Sequence, residues 1–154
     1  MPHLTKHFSE AEFLHSNTAI RRGLNNSWKA PEHRRNAINL LSVHLEPLRE
    51  FCCKPIKILS GYRTPEVNAI IGGAQNSKHC TGEAVDFLII NCDMINTYNW
   101  LMDFYKRNPV LKFHKIIQEF NSWIHLSVDF SGNNSNQIYK TVPGEQTKYI
   151  RVEE

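Results

Sequence analysis

Residues 60–87 read SGYRTPEVNAIIGGAQNSKHCTGEAVDF and carry the clearest signals for the order of helices and strands. It begins at the end of IKILS, residues 56–60, whose composition predicts a short strand. Pro65 then takes the first position of a helix, because its fixed φ and missing N–H suit that place, and Gly72 closes the helix. The stretch ends inside AVDFLII, residues 84–90, which has the composition of a buried strand. The predicted order is therefore strand, helix, loop and strand.

Helical signals dominate the chain before this stretch. Ser9 followed by Glu12 is a capping box that opens a short helix. Residues 18–31, rich in Gly, Asn and Pro and weakly periodic, predict a turn-rich connection. Apolar residues then recur at helical spacing over residues 31–53, which predicts one long amphipathic helix with a kink near Pro47.

Further helices and strands are predicted after residues 60–87. Residues 93–108 have the periodicity of a second amphipathic helix. KIIQEF, residues 115–120, and WIHLSVDF, residues 123–130, predict two strands joined by a tight Asn-Ser turn. The tail around residues 142–144, where Val, Pro and Gly lie between polar stretches, leaves open a terminal strand or a path across the surface. We therefore expect an α+β fold in which a small antiparallel sheet packs with helices.

Size and composition limit the possible classes of protein. The 154 residues, 41% of them apolar, suit a single domain over residues 1–154. The net charge of +3 is spread among mixed signs, so nucleic acid is not an expected partner. The opening MPHLTKHFSEAEF lacks the apolar core of a secretory signal, and no stretch reaches the roughly 20 apolar residues that span a bilayer. We expect a monomer that is made in the cytoplasm and contacts no membrane.

The four cysteines indicate neither a disulfide framework nor a structural zinc site. Cys52, Cys53, Cys80 and Cys92 lack the CxxC spacing, and the adjacent pair suits a disulfide framework poorly. Reduced thiols fit synthesis in the cytoplasm. Cys80 lies beside a candidate metal ligand, but we expect it only to pack, because its neighbours already supply three ligands.

Three residues could hold a metal ion. His79 and Asp86 flank a glycine turn, so a loop histidine and a strand carboxylate could converge on one ion. His125 lies on the predicted strand WIHLSV, whose apolar residues alternate into the core. Those apolar residues are Ile124, Leu126 and Val128. The alternation places His125 and Trp123 together on the opposite face, toward a cleft.

Two imidazoles and one carboxylate form an open, three-ligand set. Catalytic zinc uses such sets and leaves a fourth position for water, whereas structural zinc is usually closed by four ligands and rich in cysteine. Zinc lowers the pKa of its water from about 16 to roughly 7 and polarises a peptide carbonyl, while a carboxylate takes the proton. Spacing alone does not settle the metal, because one His and one Asp near each other with a distant His often arise by chance.

The strongest indication is a resemblance to a known family. SKHCTGEAVD resembles the Ser-x-His-x-x-Gly-x-Ala-x-Asp signature of the zinc D-Ala-D-Ala carboxypeptidase and peptidoglycan endopeptidase family, which shares its fold with the Hedgehog signalling domain. SGYRTP and SWIH resemble its other two motifs, and the likeness extends to about Val128. The resemblance implies a Hedgehog/DD-peptidase-like fold, a Zn²⁺ cofactor, peptidoglycan stem peptides as partners, and a small phage-like or bacterial member of the family.

The resemblance assigns roles only where residues match. His79, Asp86 and His125 take the places of the metal ligands. Arg63 takes the place of an arginine that steadies the substrate or a developing oxyanion, which suits a guanidinium because it stays charged and offers paired donors. An ion pair that only braces the fold is the other interpretation of Arg63. Trp123, on the cleft face, is a candidate substrate-binding residue.

The catalytic base departs from the family pattern. Better-known members carry an acidic residue three positions before the last ligand histidine, where this chain has Ser122. Serine cannot act as a carboxylate base. Glu119, at the end of the first hairpin strand, is the best substitute, although a solvated glutamate fits the pattern nearly as well. Asp129, predicted on the same strand face as His125, is a weaker candidate.

Three functions stay open at the level of sequence. The first is a zinc peptidase that cuts D-amino-acid-containing peptides of bacterial peptidoglycan, by trimming a terminal D-Ala or opening a cross-link as a phage lysin does. The second is a cell-wall peptide-binding module that keeps zinc but has lost the base, and the third is a protein without a metal whose motifs are coincidental. A carboxypeptidase needs a cation for the free carboxylate of its substrate, for which Arg63, Arg21 or Arg22 would serve. Access to the wall would need lysis or another export route.

Overall fold

Residues 2–142 and 148–151 are described by a computed structural model, in which helices pack against a six-stranded sheet. The helices are α1 (Glu10–Leu14), α2 (Asn17–Arg22), α3 (Pro31–Leu40), α4 (Glu46–Cys52), α5 (Pro65–Ile71) and α6 (Met94–Arg107). The strands are β1 (Ile56–Ser60), β2 (Ala84–Ile89), β3 (Lys115–Glu119), β4 (Trp123–Ser127), β5 (Gln137–Val142) and β6 (Lys148–Arg151). A π-helical turn (Leu41–Leu45) joins α3 to α4, and a short 3₁₀ helix (Lys78–Thr81) precedes β2. The α+β class predicted from the sequence is confirmed.

Side-chain caps explain the two short helices near the start of the chain. The capping box of α1 is present, because Ser9 Oγ accepts from the Glu12 N–H at 3.1 Å. The prediction of a turn-rich connection over residues 18–31 is wrong at its beginning, where α2 forms. Ser16 Oγ caps α2 by accepting from the Ala19 N–H at 3.1 Å, and a left-handed glycine ends the helix. These two signals outweigh the weak periodicity of the segment.

The long helix predicted over residues 31–53 is interrupted in its middle. The chain forms the π turn Leu41–Leu45 directly before Pro47, and the Glu46 N–H donates to the Leu41 carbonyl five residues back. Proline has no N–H to donate and its ring crowds the carbonyl four residues before it, so the helix cannot continue unchanged. The predicted irregularity near Pro47 is therefore present as a π turn rather than a simple kink.

The sheet has the strand order β1-β2-β4-β3-β5-β6. Four of its pairings are antiparallel, but β3 and β5 are parallel, so the prediction of an antiparallel sheet is wrong at this pair. After β4 the chain crosses the beginning of β3 through residues 128–136, and the Gln137 N–H donates to the His114 carbonyl at 3.2 Å. β5 therefore starts beside the start of β3 and runs in the same direction.

The tail forms strands as far as it is described. The sequence leaves open a terminal strand or a path across the surface, and the backbone at 148–151 pairs antiparallel with β5. Val142 ends β5, whereas Pro143 and Gly144 lie outside the described residues. The terminal strand is thus the alternative that the described backbone supports.

The turn between β3 and β4 differs by one position from the predicted Asn-Ser turn. Its central residues are Phe120 and Asn121, with φ of 52° and 54°, and the Ser122 N–H donates to the Glu119 carbonyl at 2.9 Å. Positive φ at both central positions is typical of a type I′ turn, whose twist matches that of the strands it joins. This tight turn fixes the register in which β3 and β4 pair.

The two faces of the sheet have different roles. On one face, Val85, Phe87 and Ile124 are fully buried in the main apolar cluster together with residues of α3, α4 and α6. The opposite face carries Asp86 and His125, because alternate residues of a strand point to opposite faces.

No helix in the described part of the chain is long and apolar enough to cross a bilayer. The four cysteines form no disulfide, as the sequence predicts.

Candidate metal centre and its cleft

The three candidate ligands come from three neighbouring elements. Asp86 of β2 and His125 of β4 are direct partners in the antiparallel register, so their side chains lie next to each other on one face of the sheet. His79 lies on the 3₁₀ helix, which the chain leaves through Gly82 before it enters β2. One ligand atom of each of the three residues lies within 4.8 Å of the other two. The fold therefore gathers the three residues that the sequence singles out.

Hydrogen bonds orient these ligand atoms. Asp86 Oδ1 lies 2.9 Å from His125 Nδ1 and 3.3 Å from His79 Nε2. His79 Nδ1 lies 2.6 Å from the Gly61 carbonyl oxygen, which can only accept. In the neutral ring the proton is therefore on Nδ1, and Nε2 directs its lone pair toward Asp86. A histidine fixed in this way by a backbone carbonyl is typical of a metal ligand.

The charge state of Asp86 suits the same role. Burial alone would raise the pKa of Asp86, but the neighbouring imidazoles of His79 and His125 outweigh burial, through their charge and hydrogen bonds when they are protonated, and hold the pKa well below its ordinary value. Asp86 is thus a carboxylate at neutral pH. Two imidazoles and one carboxylate already converge here, with His79 and Asp86 buried and His125 partly exposed, and they fit the three-ligand set of a catalytic zinc ion.

Gly82, between His79 and the start of β2, packs closely against α3. Its φ is +76°, and a Cβ on this residue would run into the His33 carbonyl in α3. We expect Gly82→Ala to lower the free energy of unfolding by about 2–4 kcal/mol, of which roughly 1–2 kcal/mol comes from the left-handed backbone and the rest from the forced shift. Gly23→Ala is the matched control, because Gly23 has φ of +65° in open space. Chemical denaturation of both variants measures the difference, and equal losses would rule out a role for the contact with His33.

A bracket of polar groups holds the 3₁₀ helix against the loop after β4. Lys78 Nζ lies 3.4 Å from Asp129 Oδ2 and 3.8 Å from Glu83 Oε2, and the Phe130 N–H donates to Glu83 Oε2 at 2.9 Å. Hydrogen bonds from Ser131, together with Lys78, lower the pKa of Asp129. Asp129 thus lies beyond the end of β4 in this bracket and does not line the cleft described next.

The three candidate ligands line a cleft of about 670 Å³. One wall is the loop that follows α5 and leads into the 3₁₀ helix, and the other is the face of β3, β4 and β5 that carries His125 and Glu119. Arg63, Glu119 and Trp123 all line this cleft, whereas Arg21 and Arg22 are exposed elsewhere. A cleft of this size suits a ligand of a few residues.

Glu119 lies close to the three candidate ligands. It pairs with Trp123 across the hairpin, which makes it the diagonal neighbour of His125 on the same sheet face, at about 7–8 Å between α-carbons. Burial raises the pKa of Glu119 and is the largest influence. The charge of His125 opposes this rise, the charge of Asp86 adds to it, and the charge of Arg63 opposes it more weakly. Ser122, by contrast, is exposed in the hairpin turn and donates to the Phe120 carbonyl at 3.1 Å. Of these two residues, only Glu119 lies where a proton could be exchanged with a group in the cleft.

Arg63 lies beside the centre and also braces it. Its Nη2 is 3.5 Å from Asp86 Oδ2, its Nη1 is 3.3 Å from Asn68 Oδ1, and its Nε is 3.3 Å from Ser60 Oγ. Its backbone N–H donates to the His79 carbonyl at 3.1 Å. Both sequence-based interpretations of Arg63 therefore have a structural counterpart, since the guanidinium forms an ion pair and also borders the cleft.

Motif-based reasoning did not predict two residues of the cleft lining, Lys115 and Tyr139, or the role of Asn68 behind the cleft loop. Asn68 is buried, and its Nδ2 donates to the Ala74 carbonyl at 2.8 Å, which holds the cleft loop to α5. Lys115 and Tyr139 line the sheet wall. The alternation of β3, in which Lys115 shares a face with Glu119, could have identified the lysine. Cys80 is half-buried and outside the ligand group, and burial raises the pKa of its thiol.

Comparison with known proteins identifies the family. The family model described as Peptidase M15 matches residues 6–127, which is well over half of the chain and includes all three candidate ligands. No curated protein matches the chain. The match agrees with the resemblance carried by the three sequence motifs and with the His79, Asp86 and His125 group. The chain therefore belongs to the Peptidase M15 family, a family of zinc-dependent metallopeptidases.

Proposed function

We propose that this protein is a zinc peptidase that hydrolyses D-amino-acid-containing peptides of bacterial peptidoglycan. It acts as a D-Ala-D-Ala carboxypeptidase or as a cell-wall endopeptidase. Its fold is the Hedgehog/DD-peptidase-like fold that its motifs imply. The observation that supports it most is the convergence of His79, Asp86 and His125 in a cleft that also contains a carboxylate of raised pKa. Family membership supplies the reaction class.

The metal is held by His79, Asp86 and His125 in this proposal. His79 offers Nε2, because Nδ1 is committed to the Gly61 carbonyl, and His125 offers Nδ1, the atom nearest to Asp86. A bound zinc ion supplies Lewis-acid chemistry, which polarises a peptide carbonyl and eases attack by water near neutral pH. The burial of His79 and Asp86 strengthens such electrostatic effects, because water screens them poorly there.

Glu119 takes the proton of the attacking water and returns it to the leaving amine. A general base works best when its pKa lies near the working pH, and burial moves the pKa of Glu119 in that direction. Trp123 packs against the peptide, since its ring lies on the cleft wall beside Glu119. Arg63 steadies the oxyanion that forms on the cleaved carbonyl.

We expect Arg63→Ala to lower kcat/KM by about tenfold to a hundredfold, because hydrogen bonds to a charged group contribute roughly 1.5–3 kcal/mol. The variant should keep its zinc, since the three ligands are unchanged. Arg35→Ala is a suitable control, because Arg35 is exposed on α3 and does not line the cleft. Steady-state kinetics and a zinc determination check this. Normal kinetics in Arg63→Ala would leave Arg63 with its bracing role alone.

A zinc-containing binding module without turnover is the second candidate. The observation that favours it is Ser122, which stands in the usual acidic position of the family and lies exposed in the hairpin turn. In this alternative Glu119 would be a buried carboxylate with no catalytic role.

The decisive experiment is incubation of the zinc-loaded protein with defined stem peptides, with and without a chelator, followed by mass analysis. Chelator-sensitive loss of one alanine would establish a carboxypeptidase, and an internal cut would establish an endopeptidase. No product from protein with confirmed zinc would favour the binding module.

The remaining partners and the location belong to the same proposal. A peptidoglycan peptidase that is made in the cytoplasm as a monomer reaches its substrate through lysis or another export route. Neither nucleic acid nor a membrane has a place in this scheme.

A further inference from the structure

The cleft contains a lysine that is positioned for a ligand. Lys115 of β3 is the register partner of Ser127, so it is a diagonal neighbour of His125 at about 7–8 Å between α-carbons. Its ammonium lies 5.8 Å from the centre of the Tyr139 ring of β5. This cation–π contact places the charge against the sheet wall of the cleft, which both side chains line.

The other two cations of the cleft already have acidic partners. Arg63 lies 3.5 Å from Asp86, and Lys78 lies 3.4 Å from Asp129. Among the side chains that the structure describes, no carboxylate lies within 4.0 Å of the Lys115 ammonium. Among the described side chains, Lys115 is thus the cation of the cleft without an ion pair. An unpaired charge in a cleft attracts anions.

The charges of β3 also give the cleft a direction. Lys115 and Glu119 are the two diagonal neighbours of His125, on opposite sides of Ile117. The Glu119 end is lined by the aromatic pair Phe120 and Trp123, whose ring centres are 5.7 Å apart. A peptide with a free carboxylate is therefore favoured with that carboxylate toward Lys115 and away from Glu119.

A histidine also lies at the Lys115 end of the cleft. His114 lines the cleft, and its Nδ1 lies 3.2 Å from Ser127 Oγ. Burial lowers the pKa of His114, and the charges of Lys115 and Lys78 lower it further. Since Lys78 is already paired with Asp129, the Lys115 ammonium is the charge that this end of the cleft offers to a ligand.

We propose that Lys115 is the carboxylate-binding residue of the cleft, and that it pairs with a free carboxylate of the substrate peptide. The ammonium lies against the Tyr139 ring of β5, on the side of β3 away from β4 and His125, so the carboxylate that it binds lies away from the bond that is cut. The carboxylate is either the terminal one or a free one within the chain, such as that of a γ-linked glutamate. This inference rests on the proposed peptidase function and deepens it.

Binding measurements test the inference without relying on turnover. Calorimetry on zinc-loaded Glu119→Gln protein compares a stem peptide with its C-terminal amide and with a peptide amidated at the γ-linked glutamate, and product masses are checked afterwards. We expect one of the two amides to bind about tenfold more weakly than the free acid. The amide that weakens binding shows whether the terminal or the internal carboxylate is bound.

The role of Lys115 follows from three variants in the same background. Lys115→Gln should bind acid and amide equally, Lys115→Arg should keep the preference, and Lys57→Gln should behave like the parent because Lys57 is exposed on β1 outside the cleft. An unchanged acid-to-amide ratio in Lys115→Gln, equal binding of all peptides by the parent, or no binding at all would overturn the inference.

The proposed function and the inference fail in different ways. Binding that depends on Lys115, without hydrolysis by the wild-type protein, would leave the carboxylate site in place and reject the peptidase. Hydrolysis with an acid-to-amide ratio independent of Lys115 would keep the peptidase and reject the carboxylate site.

Discussion

Replacing His125 or His79 by alanine is expected to remove zinc binding and peptide hydrolysis together. Each variant leaves two ligands of the three, and loss of a group that merely orients a ligand already weakens metal binding about 10–100-fold. We therefore expect zinc affinity to fall by more than about 100-fold. In each variant the remaining histidine still contacts Asp86, because both histidines contact its Oδ1 atom. The fold should survive, which thermal unfolding of the variants checks.

Zinc content after dialysis and hydrolysis of stem peptides are measured side by side. His15→Ala is the matched control, because His15 is exposed and far from the cleft lining. It should keep both zinc and activity. Stoichiometric zinc in both ligand variants would show that the ion is held elsewhere.

Replacing Glu119 by glutamine is expected to keep zinc and to lower turnover by about 100-fold or more, the usual contribution of a general base. Glutamine has the same shape but cannot take a proton at neutral pH. No described residue donates a hydrogen bond to the Glu119 carboxylate, so the change should disturb the fold little.

Single-turnover kinetics and a zinc determination separate the two effects. Glu50→Gln is the control, since Glu50 is exposed on α4. Full turnover in Glu119→Gln would show that another group takes the proton. Loss of zinc along with turnover would instead indicate that Glu119 helps to hold the metal.

The sequence motifs predict the ligand group because its residue types and order are local properties of the chain. His79 and Asp86 lie on either side of the same glycine, whose positive φ and contact with α3 explain why that position is a glycine. The pairing of Asp86 with His125 is different, because it depends on β2 and β4 being neighbours in the sheet. No local pattern contains that information, and the family resemblance supplied it.

The features that the sequence did not predict have distinct physical causes. The parallel pairing of β3 and β5 depends on the path of residues 128–136 across the sheet end, which composition does not specify. α2 had readable signals in Ser16 and Gly23, which its weak periodicity obscured. The place of Lys115 in the cleft follows from alternation in β3, but its contact with Tyr139 requires β5 to be in position.

The separation of Asp86 and His125 along the chain also affects how the protein folds. They are 39 residues apart, and the interval contains α6 and the strand β3. Closing so long a loop costs conformational entropy that is recovered only when β2 and β4 form their ladder. A chain in which the β3·β4 hairpin has formed but β2 has not docked therefore has no metal centre. The ability to hold the ion appears only when the middle of the sheet has closed.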